Sequence, residues 1–124
     1  MTERSQANTL ERIAAADEVE IETHRARDGR ARRTVIWAVV DGGRVYVRAI
    51  RGAAGLWYRE LHADPAPALW VGGERVPVRP VQVADAAEIE RVSDAYRRKY
   101  GRSPYLGGVL EPHTLGATTR LELA

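Results

Sequence analysis

The sequence predicts an α+β fold, an antiparallel sheet or small barrel of about six short strands with helices inserted among them. Three observations carry that prediction. Tight turn signals (Asp28-Gly29, Asp41-Gly42-Gly43 and Gly72-Gly73) recur between β-rich runs, the arrangement that joins antiparallel neighbours. Several of those runs alternate apolar and polar residues. The chain of 124 residues, 44% apolar and 29% charged, is sized and balanced for one globular domain, residues 1–124, with no linker or repeat.

A first helix is expected over Thr9–Ala16, with Leu10, Ile13 and Ala14 on one face and Asn8 or Thr9 as its cap; residues 1–17 form this N-terminal segment and 18–124 the sheet and remaining helices. Glu18 to Thr23 alternates strictly, Val19, Ile21 and Thr23 against three glutamates, as a half-buried strand does. After Asp28-Gly29, Arg33–Val40 is apolar on both faces and reads as a central strand covered on both sides. Asp41-Gly42-Gly43 turns into Arg44–Ile50, where Val45, Val47 and Ala49 alternate with Arg44, Tyr46 and Arg48. Arg51 to Gly55 opens a helix to about His62, stopped by Asp64-Pro65-Ala66-Pro67. Ala68–Val71 and Arg75–Val83 read as strands, and Pro77 and Pro80 demote the second to an edge or bulged strand. Asp85 caps the clearest helix, with Glu88 completing a capping box, Ile89, Val92, Tyr96 and Tyr100 on one face, and Gly101 at its end. Ser103–His113 reads as irregular, and Thr118–Leu123 alternates again as the closing strand.

Composition excludes several chemistries. No run of about 18 apolar residues exists to span a bilayer, and the N-terminus lacks the apolar stretch of a secretory signal, so a cytoplasmic protein is expected. With no cysteine there is no thiolate nucleophile, disulfide or zinc–sulfur site; His24, His62 and His113 fall at no metal-ligand spacing; and the strained serine elbow and the P-loop and dinucleotide fingerprints are absent. The 19 basic residues, all arginine but Lys99, face 17 acidic ones, and five of them crowd into His24–Arg33. Such a cluster can grip a phosphate or an acidic partner, or form a solvated hairpin. A net charge of +2 and the lack of an aromatic-rich strand face argue against nucleic acid.

Two features invite a ligand. Gly52 and Gly55, following Arg51 at a helix start, let an anion approach backbone N–H groups. Arg33, Arg48 and Arg51 beside Trp37, Tyr46 and Trp57 can hold a phosphate and a flat ring, or can splay into solvent around an aromatic core. Pairing across the Asp41-Gly42-Gly43 hairpin sets Arg33 nearly opposite Arg51.

From Glu18 onward the sequence resembles a bacterial family of uncharacterised proteins, a domain of unknown function, on Thr34 to Trp37, Asp41 to Arg48, Gly52 with Trp57-Tyr58, Ala95 to Tyr100 and Ala117 to Leu123. That family is in turn similar to the split β-barrel flavin and deazaflavin proteins, which include pyridoxamine phosphate oxidases and deazaflavin-dependent nitroreductases. The resemblance implies a split barrel binding FMN or a deazaflavin; taken with the arginines, aromatics and glycines above, it makes Arg33, Thr34, Trp37, Arg48, Arg51, Gly52 and Trp57 the expected cofactor-binding positions. One departure stands out: those enzymes carry a Gly-Arg-Lys-Ser-Gly-type phosphate loop, and the stretch from Arg27 to Arg33 has neither its lysine nor its serine.

The expected function is therefore oxidation or reduction of a small organic molecule by a flavin-type ring, with no acid or base residue assigned; the alternative is a non-redox binding protein, or an enzyme without a cofactor, that keeps the pocket. A homodimer is expected, because the interior of so small a barrel is filled by its own side chains and a cofactor pocket must lie outside it, walled by a second subunit.

Overall fold

Three glycine turns fold the chain back on itself. Gly29, the pair Gly42-Gly43 and the pair Gly72-Gly73 all adopt positive φ, which the two-residue hairpins Asp41–Arg44 and Val71–Glu74 require at both central positions. Around them the computed structural model, describing residues 3–124, builds seven strands: β1 Val19–His24, β2 Ala31–Ile36, β3 Ala38–Asp41, β4 Arg44–Arg48, β5 Ala68–Val71, β6 Glu74–Gln82 and β7 Thr118–Leu123. Five helices accompany them: α1 Glu3–Ala15, α2 Leu56–Ala63, α3 Ala86–Tyr100, α4 Leu106–Leu110 and α5 Pro112–Leu115. Residues 1 and 2, the start of the expected N-terminal segment, lie outside the described residues.

The strands form one antiparallel sheet in the order β2-β1-β5-β6-β7-β4-β3. Its two edges are β2 and β3, yet only Trp37 separates Ile36 from Ala38. The sheet must therefore curl until its edges meet at Trp37, closed by the covalent chain but not by a hydrogen-bond ladder. This is a split barrel.

That closure corrects the expected central strand over Arg33–Val40. It is two edge strands broken at Trp37, and β2 alternates in exposure instead of being covered on both faces. The break raises the count from six strands to seven. The strand buried on both faces is β4: Val45 and Val47 join the barrel interior with Ile13, Ile21, Leu69, Val76 and Leu121, while Tyr46 joins Val39, Val92 and Tyr96 beneath α3. Full burial of each such aliphatic side chain contributes about 1.5–3 kcal/mol.

The proline-bearing strand is corrected too: β6 is the middle strand of the sheet. It pairs with β5 through Pro77 and with β7 from Val78 onward, so each half has one ladder partner. Backbone groups alternate sides along a strand, which turns the nitrogen of Pro80 toward the side where β5 pairing has ended. The proline costs no ladder bond there.

Local corrections follow similar logic. Thr9 lies inside α1 instead of capping it, its hydroxyl donating to the Ser5 carbonyl at 2.9 Å. Asp85 does cap α3, accepting from the Glu88 N–H at 2.8 Å, but the Glu88 carboxylate turns away to accept from the Tyr46 hydroxyl at 2.6 Å and from Arg120 at 3.0 Å. Gly101 ends α3 in right-handed conformation; a Cβ there would come within 2.6 Å of the Arg97 carbonyl. The segment expected to be irregular contains α4 and α5. On the outer face, Glu22 is buried and accepts from the Trp70 indole N–H at 2.8 Å and the Arg75 guanidinium at 2.8–3.2 Å, while His24 bridges it to Asp64 at 3.4 and 2.8 Å.

Candidate functional site

Where β2 parts from β3 the split opens into a cavity of about 700 Å³. Its walls come from β2 and Trp37 on one side, from the chain after β4 and the start of α2 on another, and from Tyr105 and Val109, before and within α4, on a third. Trp37 is fixed by stacking on Tyr100, with ring centroids 3.9 Å apart and planes 3° from parallel. The Tyr100 hydroxyl donates to the Asp17 carbonyl at 2.8 Å, and its burial pushes the phenol up to about 12. The tryptophan is thus held as a rigid wall.

The rim is apolar in an unusual way. The large hydrophobic side chains left exposed among the described residues are Val35 (56%), Ile50 (56%), Leu56 (46%) and Tyr105 (75%), and all four border this cavity, Val35 also facing the groove that holds Arg33 and Trp70. Scattered exposed hydrophobics need no explanation, but four around a single opening do. The β2 edge adds backbone groups: the Arg25 N–H to Arg30 carbonyl bond sets an alternation that turns the amide and carbonyl of Arg33 and Val35 away from β1, toward the open side.

Three arginines reach the cavity. Arg51 makes no ion pair among the described residues. Arg32 Nε is buried 3.3 Å from Glu60 Oε1, an ion pair without hydrogen-bond geometry. Arg48 is 3% exposed; its Nε donates to Thr118 Oγ1 at 2.8 Å, Nη1 to Ser93 Oγ at 2.8 Å and the Val109 carbonyl at 3.0 Å, and Nη2 to the Ile89 carbonyl at 3.0 Å. Burial pushes its guanidinium below the ordinary value, only partly opposed by Tyr96 and Glu90. Glu18 is the one carboxylate in the lining.

Of the positions expected from sequence, Thr34, Trp37, Arg48, Arg51 and Trp57 line the cavity together. Arg33 does not. Side chains alternate along β2, which turns Arg33 and Val35 to the opposite face from Thr34; Val35, next to the break at Trp37, still borders the cavity edge, whereas Arg33, two residues further back, does not reach it. Arg33 instead stacks over Trp70 at 4.0 Å and lies 3.5 Å from Glu20, and the arginine facing the cavity is Arg32. Nor does Arg33 oppose Arg51, because the hairpin ladder of β3 and β4 ends at Ala38 and β2 pairs with β1. Gly52 is buried outside the lining with φ of +69°, where a Cβ would come within 2.6 Å of the His113 carbonyl; it packs the loop and presents nothing to the cavity. Tyr46, the third aromatic considered, belongs to the core under α3.

Sequence reasoning missed Arg32, Ile50, Leu56, Tyr105 and Val109. Alternation counted from Thr34 would have found Arg32. Nothing in Ser103–His113 signalled that this segment would supply Tyr105 and Val109 to the cavity wall.

Comparison with solved structures matches this fold and shows nothing finer at such low identity. An F420-H2 dependent reductase is 19% identical with a TM-score of 0.66 over 86% of this chain and 94% of its own. An FAD-binding protein from Mesorhizobium loti is 13% identical, TM-score 0.64, over 94% and 86%. A Listeria innocua protein described as a candidate pyridoxamine 5'-phosphate oxidase is 9% identical, TM-score 0.64, over 97% and 92%. No curated protein sequence matches the chain. Residues 9–121 match a family profile, and the chain belongs to that family: uncharacterized protein conserved in bacteria, DUF2255.

Proposed function

We propose that this member of the family is a flavin- or deazaflavin-type oxidoreductase acting on a small organic molecule, and that it works as a homodimer. The observation that carries the reading is the cavity at the split, where four exposed apolar side chains, two tryptophans and three arginines converge. Its 700 Å³ falls within the roughly 300–1,000 Å³ of ordinary cofactor and ligand pockets. Trp37 and Trp57 offer flat walls to a ring, the free edge of β2 offers donors and acceptors to a heterocycle, and Arg51 with Arg32 offers charge to a phosphate at the rim. When bound, such a ring would supply hydride transfer, which suits a pocket whose only carboxylate is Glu18 and which contains no nucleophile paired with a base.

The apolar rim supports the dimer. Val35, Ile50, Leu56 and Tyr105 need a cover that this chain does not provide, and a second copy packed over the mouth would bury them and complete the pocket wall.

A non-redox binding protein is the second reading, and one observation favours it. The Arg27–Arg33 stretch, where the nitroreductases carry their phosphate loop, ends with Arg33 committed to Trp70 and Glu20 on the other face of the sheet. Absorbance and fluorescence of the purified protein, titrated with FMN and with a deazaflavin, separate the two. A bound chromophore reducible by a hydride donor is expected; saturation with neither would refute the oxidoreductase reading.

A further inference from the structure

We infer that Arg48 forms the floor of an anion subsite inside the cavity, and that the small molecule this protein handles is a monoanionic organic acid. The inference rests on the reading of the cavity as a ligand site, and is independent of which cofactor, if any, shares it.

Arg48 is nine-tenths buried and more, yet no carboxylate comes within ion-pair distance of it among the described residues. Its four hydrogen-bond partners, two hydroxyls and two backbone carbonyls, and the Tyr96 ring 5.6 Å from the guanidinium carbon are all neutral, so the cation has no formal counter-charge in contact with it. A buried charge without a counter-ion is costly, by several kcal/mol in general. A clamp joining α3, α4 and β7 accounts for the hydrogen bonds, but it does not account for placing the cation in the wall of an open cavity.

The geometry also narrows the anion. A guanidinium has five N–H groups, and Arg48 spends four of them on protein, leaving one on Nη2. One donor backed by a full charge suits a single oxygen of a carboxylate. A phosphate dianion, with three strong acceptor oxygens to satisfy, is matched better by the more exposed Arg51 and Arg32 at the rim. The neighbouring walls, Trp37, Ile50 and Val109, are apolar and suit a flat hydrocarbon body behind the carboxylate. The cavity is thereby divided between a charged rim for a large polar anion and a dry floor for a small one.

Benzoate and its neutral isostere benzamide test this without any cofactor. In titrations of the whole protein followed by thermal shift, benzoate is expected to bind at least about tenfold more tightly than benzamide, the value of one charge-assisted hydrogen bond. Arg48→Gln should erase that preference, Arg48→Lys should retain part of it, and Arg33→Ala, on the other face of the sheet, should leave it intact. Removing the guanidinium also strips donors from the Ile89 and Val109 carbonyls, so Arg48→Gln can fail to fold. A variant-free measurement covers that case: in protein labelled with ¹⁵N-arginine, the sequestered Nε–H of Arg48 should shift with benzoate and not with benzamide. Equal binding of the two probes, or a preference that survives in Arg48→Gln, or no benzoate-specific shift at Arg48, would overturn the subsite. FMN or deazaflavin binding is scored separately. A protein that binds a flavin but ignores benzoate refutes only the subsite, and one that binds benzoate through Arg48 but no flavin refutes only the oxidoreductase reading.

Discussion

Replacing Glu22 with Gln should destabilise the protein in a strongly pH-dependent way. The buried carboxylate accepts from the Trp70 indole at 2.8 Å and from both Arg75 nitrogens at 2.8–3.2 Å, and these contacts, with the Arg75 hydrogen bond the largest cause, hold it below its ordinary 4.5. Gln keeps the shape and one acceptor oxygen, but turns an NH₂ group toward a guanidinium. A hydrogen bond to a charged group contributes about 1.5–3 kcal/mol, and because the Arg75 side chain is 40% exposed and can rehydrate, the lower half of that range is expected. With a urea m-value of about 2 kcal/mol per molar, the midpoint should fall by about 0.7–1.2 M at pH 7. A carboxylate depressed in the folded state stabilises above its unfolded value and loses that contribution as pH falls through the folded value. The gap between wild type and Glu22→Gln should therefore be full at pH 7, shrink below pH 4.5, and close once Glu22 is protonated in the fold. Urea titrations at pH 7 and pH 3 measure it. A gap of equal size at both would show that shape, not charge, sets the cost.

Other outcomes are as specific. Val92→Ala, at a fully buried position on the inner face of α3, should cost about 2–3 kcal/mol through lost burial and a residual cavity, and an unchanged melting temperature would mean that α3 is not structural. Gly52→Ala should cost about 1–3 kcal/mol, because φ of +69° is strained for alanine and the new methyl meets the His113 carbonyl; it should also disturb the 2.8 Å contact between His113 Nε2 and the Ile50 carbonyl, readable in the histidine NMR signals. Light scattering coupled to size exclusion should give a dimer for wild type and a monomer for the paired change Val35→Glu and Ile50→Glu, while a wild-type monomer of 13.8 kDa would end the dimer proposal.

Much of the fold was legible because its signals are local. Glycine pairs mark the hairpins, strict alternation marks β1 and β7, and Asp85 with its helical stripe marks α3, each readable within a dozen residues. The two misreadings of the sheet share a cause: they depend on pairing between distant segments. Pro77 and Pro80 look like edge residues until β6 is known to exchange one partner for another midway. The apolar run through Trp37 looks like a central strand until the sheet is seen to need both of its edges there.

The site's legibility turns on the same residue. Because the barrel is closed by one peptide segment at Trp37 instead of by a ladder, a seam remains along β2, and the cavity is that seam. The apolar character that made Thr34–Val40 look doubly covered is real, but on β2 it is directed partly at the core and partly at whatever fills or covers the seam, as the exposure of Val35 shows. Arg48 was legible as a residue near the ligand but not as a buried one, since alternation within β4 assigns it to solvent until α3 and α4 fold over that face and supply three neutral acceptors beside Thr118 of β7. Those helices could have buried the same position more cheaply with an apolar side chain. That an arginine stands there, beside an open cavity and without a counter-ion, is the feature of this protein that packing alone leaves unexplained and an anionic ligand would resolve.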